Sequence, residues 1–270
     1  MTPVSQFHPV TREAAAGLPL HTLYRPADLD AWGSATLPLV VYGNGACQNS
    51  NHGGIAMLTL VAAHGFAVVA VGAPEAPTLP DLNTAHPGQL IQALDWATDD
   101  RGRGQMGGRV DVTRIAAMGQ SCGGLEALVA AADPRVATTV ALNTGFFATT
   151  PGEPPRLGYG REHLRNVHGP VLFVSGGPSD QAYVNTQANV ELLDVPVVWA
   201  DNPHGGHSGL WKGYRDDRSD PTIMNEAITV VVSWLEFVLN GDQYARSYFL
   251  GRPPGLAGVP GWTVTSRNFT

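Results

Sequence analysis

Several short runs in this chain are apolar throughout: "LPLVVYG" (37–43), "FAVVAVGA" (66–73), "RIAAMG" (114–119), "VATTVALN" (136–143), "PVLFVSGG" (170–177) and "VPVVWAD" (195–201). A strand with one wet face alternates apolar and polar residues. A strand with no alternation needs cover on both faces. Helix-like segments fall between the runs, at 53–64, 86–100, 123–132, 160–167 and 180–193. The last helix, "PTIMNEAITVVVSWLEFVLNG" (221–241), opens on Pro221 and stops at Gly241. This order predicts an α/β chain with a mostly parallel sheet and helices on both faces. Residues 1–36 are expected to supply an antiparallel edge. Residues 243–270 are expected to wrap the surface as a Pro- and Gly-rich tail, pinned by Trp262 and Phe269. With no linker or repeat, residues 1–270 read as one domain.

Composition narrows the partners. The net charge is −7 and no basic stripe is present. Binding to nucleic acid or to an anionic membrane is therefore disfavoured. No apolar run reaches the roughly 18 residues of a membrane span. The opening "MTPVSQFHPVTREAAAG" lacks the charged-then-apolar pattern of a signal peptide. That leaves a cytoplasmic protein, or a secreted one whose signal has been removed.

The stretch "RIAAMGQSCGGLEALVAAAD" (114–133) carries the chemistry. An apolar run ends in G-x-S-x-G, and an alanine-rich helix begins at once. At such a corner the serine adopts a strained conformation, and its hydroxyl projects above the carboxyl end of the sheet. Glycines at 119 and 123 allow strand and helix to approach closely. Ser121 is the candidate nucleophile, unless the corner is only a tight turn.

Here the sequence resembles the α/β-hydrolase family. "VDVTRIAAMGQSCGG" resembles the family's strand and nucleophile elbow, and the likeness runs over roughly residues 20–242. Within the family the chain is most similar to lidless serine esterases of the dienelactone-hydrolase, cutinase or polyester-hydrolase kinds. The resemblance implies a carboxylic ester hydrolase that works through an acyl-enzyme and needs no cofactor. It also implies the order serine, acid, histidine. Asp180, after the run 170–177, is the expected acid, with Asp201 and Asp194 as alternatives. "PSDQ" also suits a helix cap there. "ADNPHGGHSGLW" offers His207 and His204 as base, and "GHSGLW" favours His207. The pair also reads as H-x-x-H. No Glu-bearing helical motif accompanies it, so no metal site is expected.

In the family one oxyanion N–H follows the nucleophile and another comes from the loop after the first core strand. Those are Cys122 and, in "YGNGACQNS", Ala46, with Cys47 as the alternative. Alanine there departs from polyester hydrolases that carry an aromatic ring, which argues against polyester specificity. If both amides point at one oxygen, Cys47 and Cys122 lie side by side. Two readings stay open: a disulfide clamping the loop to the elbow, or two free thiols. A bridge would favour an oxidising compartment and secretion.

Asn143, Phe146, Phe147 and Trp211 are the candidate substrate-binding residues; for Phe146 and Phe147, which follow the carboxyl end of a strand, packing in the core is the alternative reading. Residues 144–169 are too few for a separate cap, so an open site accepting small or polymeric esters is expected. "GRGQMG" (102–107) matches a dinucleotide fingerprint but reads as a loop with no preceding strand. An acyltransferase or peptidase with the same three residues, or a silent binding protein on this fold, remains as the rival.

Overall fold

The computed structural model describes residues 7–75, 85–148, 155, 158–216 and 218–269. Strands β1 (Val10–Ala14) and β2 (His21–Pro26) precede the parallel core of β3 (Leu37–Gly43), β4 (Ala67–Val71), β5 (Val110–Gln120), β6 (Val136–Leu142), β7 (Val171–Ser175) and β8 (Val197–Asp201). Helices α1 (Ile55–Ala63), α2 (Pro87–Thr98), α3 (Asp100–Gln105), α4 (Cys122–Ala130) and α5 (Tyr183–Leu192) connect them. Then come α6 (Gly209–Lys212), a short ribbon β9 (Tyr214–Arg215) and β10 (Arg218–Ser219), α7 (Pro221–Asn240), α8 (Gln243–Leu250) and β11 (Thr263–Arg267). The main sheet runs β1-β2-β4-β3-β5-β6-β7-β8-β11. Strands β3 to β8 pair in parallel, while β1, β2 and β11 add antiparallel edges. This is the α/β-hydrolase fold.

The unbroken apolar runs have a direct explanation. Val40 and Tyr42 of β3 share one core layer with Met57 and Leu58 of α1 and with Val231 and Trp234 of α7. Their neighbours Leu39 and Val41 point the other way, into a layer with Leu90 and Leu94 of α2. Successive side chains alternate faces, and both faces are dry, so neither face selects for polar residues. α7 is long and apolar enough to cross a membrane, but Ile223, Val231, Trp234 and Leu235 are buried in the core. Trp234 donates its indole N–H to Thr138 Oγ1 at 2.9 Å and meets Phe249 edge to face.

Two segments depart from the sequence expectation. The tail is not a surface wrap: β11 pairs with β8 from Thr263↔Asp201 to Arg267↔Val197 and becomes the edge of the sheet. Its polar alternation, "TVTSR", conceals it, because an edge strand is covered on one side only. Trp262 is buried and Phe269 packs on the same layer. The loop read at 102–107 is in part helical. In α3 Asp99 caps the first turn by accepting from the Arg101 and Gly102 amides, which offsets the weak helix preference of Gly102 and Gly104. The segment 144–169 lies partly outside the described residues; its described part includes a 3-10 turn at Arg161–Asn166 and a bridge between Phe147 and Gly160.

Candidate active site

β5 delivers the chain to a corner. Ser121 follows Gln120 with φ 54° and ψ −116°, and α4 begins at Cys122. Few non-glycine residues occupy such a conformation, so the surroundings must hold it. The Ser121 amide donates to Leu142 O at 2.8 Å, and the Thr144 hydroxyl donates to Ser121 O at 2.7 Å. Gly119 lies against the Gly123 carbonyl, and Gly123 lies against Gly43; a Cβ at either position would overlap backbone. Gly123→Ala is therefore expected to destabilise by roughly 1–3 kcal/mol or more and to push β3 away from the elbow. A thermal melt checks the first effect. A midpoint within 1 °C of the parent would contradict it.

The residues expected after the resemblance meet here. His207 Nε2 lies 2.9 Å from Ser121 Oγ, and His207 Nδ1 lies 2.6 Å from Asp180 Oδ1. Asp180 is buried. Burial pushes its carboxyl up, but the bonds from His207, the Ala182 amide and Asn143 outweigh burial and hold it below the usual range. Its bond from the Ala182 amide, at 2.9 Å, lies just ahead of α5. The loop carrying His207 is tied back by Gln120 Nε2, which donates to His207 O at 3.2 Å.

The alternatives lie away from the Ser121 corner or bond other groups. Asp201 accepts from the Ser175 hydroxyl and, at 2.8 Å, from the Gly177 amide. It braces the loop that carries Asp180, and burial leaves its carboxyl raised. Asp194 is exposed beyond the end of α5. His204 Nδ1 sits 3.0 Å from Asp216 on the surface.

Among the substrate-binding candidates, Phe146 is a correction. It is fully buried in the layer with Leu128 and Phe173, because its backbone turns inward, tied by two bonds with Asn189. Phe147 instead lines a cleft of about 130 Å³ with Ser121, Leu125, Asn143, Thr144, Gln181 and His207. Asn143 makes contacts that its sequence gave no sign of. Its Nδ2 donates to Asp180 Oδ2 at 2.6 Å and to Gly206 O at 3.0 Å, and its Oδ1 accepts from the Trp211 indole N–H. Trp211 thus orients the Asn143 amide, as well as lining a wider cleft of about 470 Å³ with Ala46, Gln48 and Ser121. The two clefts meet at Ser121 and His207.

The turn after β3 carries two successive non-glycine residues with positive φ, Ala46 (55°) and Cys47 (51°). Ala46 is exposed at the cleft rim. Cys47 and Cys122 form a disulfide with Cα atoms 5.2 Å apart, so the bridged reading holds and the free-thiol reading falls. The Cys122 amide is the first of α4 and has no acceptor within the helix.

Comparison with known proteins agrees with the architecture. No curated protein matches the chain. Residues 9–151, from β1 past the elbow, match the PETase family, described as PET hydrolase-like. The chain belongs to the PET hydrolase-like family.

Proposed function

We propose that this protein is a serine hydrolase of carboxylic esters, and that Ser121, His207 and Asp180 carry the reaction. The observation that supports it most is the continuous hydrogen-bond chain from Ser121 Oγ through both ring nitrogens of His207 to Asp180. Ser121 Oγ attacks the ester carbonyl while His207 Nε2 takes its proton. The tetrahedral oxyanion accepts from the Cys122 amide and from the Ala46 amide in the turn after β3. Such a donor is worth about 2.7–4 kcal/mol in the transition state. His207 then protonates the leaving alcohol, and water, activated by the same imidazole, releases the acid. Asp180 holds the imidazole with its Nδ1–H toward the carboxylate and stabilises its charged form.

The family match favours polyesters as substrates, against the reading drawn from Ala46. Two clefts meeting at Ser121 suit an acyl group on one side and a further stretch of chain on the other. The disulfide favours an oxidising compartment, and hence secretion.

The test combines p-nitrophenyl esters of rising acyl length, a terephthalate polyester film, and a fluorophosphonate label located by peptide mass. Ester turnover with the label on Ser121 is the expected result. A label elsewhere, or none together with no turnover, overturns the assignment and supports a binding protein. Transfer to added alcohols outpacing hydrolysis identifies an acyltransferase.

Asn143→Ala is expected to lower kcat about tenfold with little change in KM. Loss of the Nδ2 donor removes one of the bonds that lower the Asp180 carboxyl. The acid limb of the pH–rate profile should therefore move to higher pH. An unchanged limb would show that Asn143 serves only the fold.

A further inference from the structure

Glu126 stands one turn beyond Cys122 on the otherwise apolar α4, with its side chain 0% exposed. Neither carboxyl oxygen has a hydrogen-bond partner among the described residues. A buried polar group without a partner is costly, and a leucine of similar length would avoid the cost. What the carboxyl does face is the disulfide. A Glu126 oxygen and the sulfurs of Cys47 and Cys122 all lie within 4.8 Å of one another. On its other side, a Cβ at Gly43 would come 2.7 Å from Oε2. Burial pushes the carboxyl up to about 8, so it keeps its proton at neutral pH. Tyr159, just ahead of the Arg161–Asn166 turn, is a titratable group that senses its charge; the turn after β3 brings Cys47 against it, and Cys122 lies on its own helix.

The two sulfurs differ. Cys47 is half-buried, whereas Cys122 is 4% exposed and heads α4. An incoming thiolate meets Cys47 first. Cys122 departs into buried surroundings, which disfavour a bare thiolate and favour its protonation as it leaves.

We propose that Cys47–Cys122 is an exchangeable disulfide that reacts with dithiols, and that Glu126 is the proton donor to the leaving sulfur of Cys122. One thiolate of the dithiol attacks Cys47 Sγ and forms a mixed disulfide. The Cys47–Cys122 bond breaks, its electron pair goes to Cys122 Sγ, and the Glu126 proton follows it. Cys122 becomes a thiol and Glu126 a carboxylate. The second thiol of the reductant, ionised, then attacks the reductant sulfur held on Cys47. This closes the reductant's own disulfide and releases Cys47, which takes a proton from water, while Glu126 is reprotonated from solvent. The bridge gains two electrons and two protons, and the dithiol loses them. In the oxidising direction the Glu126 carboxylate accepts the Cys122 proton.

The test reduces the native protein with dithiothreitol between pH 5.5 and 9, quenches by alkylation and counts free thiols by mass. The rate is expressed per concentration of reductant thiolate. In the wild type this quantity should fall about tenfold or more as pH rises through 8, because the acid form of Glu126 disappears. In Glu126→Gln it should be flat, about tenfold or more below wild type at pH 6, and equal to it by pH 9. Slowing through added stability would show the reverse trend. Glutamine relieves a buried charge that exists only at high pH, so that effect grows with pH. A flat wild-type profile, or a variant as fast as wild type at pH 6, overturns the proposal. If the variant does not fold, the wild-type profile decides alone. The readout is a thiol count and is independent of ester hydrolysis.

Discussion

Ester hydrolysis by the Ser121→Ala variant is expected to fall by about 10⁴ to 10⁶ in kcat, the range set by loss of an activated serine nucleophile. No neighbouring group can replace it. His207 Nε2 would face a methyl group at the position where Ser121 Oγ now lies 2.9 Å away. Cys122, next in the chain, is held in a disulfide and cannot serve as a thiolate. The corner itself should survive. Alanine keeps the Cβ that serine already carries at φ 54°, and the backbone bonds to Leu142 and Thr144 do not involve the hydroxyl. The thermal midpoint is therefore expected to shift little, by an amount equivalent to about 1 kcal/mol or less. Kinetics with a short-chain p-nitrophenyl ester, set beside a melt, check both halves. Retention of a hundredth of the parent rate would remove Ser121 from the chemistry.

The second large effect is expected at the acid. Asp180→Asn should cost about 10⁴ in kcat near neutral pH, because a neutral amide neither fixes the tautomer of His207 nor stabilises its charged form. The same change at Asp201 should cost less than about tenfold, since Asp201 bonds Ser175 and Gly177 and has no bond to the histidine. Comparable losses at both positions would refute the assignment of the acid. The two carboxylates also differ in their linkage to pH. The Asp180 carboxyl is held below its ordinary value, so its contribution to stability is present above that value. It is lost as pH falls through the lowered one. The Asp201 carboxyl is raised by burial, so its ionisation costs stability as pH rises. Asp180→Asn should accordingly flatten the acid side of the stability profile, while Asp201→Asn should steepen it, because it removes a carboxyl whose ionisation opposes the gain in stability as pH rises.

Some of this molecule was legible one residue at a time. The β3 run "LPLVVYG" declared a strand dry on both faces, and β3 occupies those residues. Pro221 and Gly241 marked the two ends of α7. The elbow was legible because a serine between two glycines, at a strand-to-helix corner, leaves few other conformations. Other features left no such mark. The strand β11 reads as polar coil because its pattern reflects an edge with one dry side. Phe146 and Phe147 are identical in type and adjacent. Only the backbone path, turned by the two bonds with Asn189, sends the first into the core and the second to the cleft.

The sequence by itself determined the α/β class and the strand-to-helix corner at Ser121, because hydrophobic periodicity and glycine sterics are local properties; the order serine, acid, histidine came from the family resemblance. The tertiary structure decided what depends on through-space distance. It decided which histidine and which carboxylate share a hydrogen bond, that Asn143 and Trp211 stand behind Asp180, and that a partnerless Glu126 lies against the disulfide. Hydrogen bonds and thiol chemistry act over a few ångströms. Residues 86 positions apart, as Ser121 and His207 are, reach that range only once the sheet is assembled.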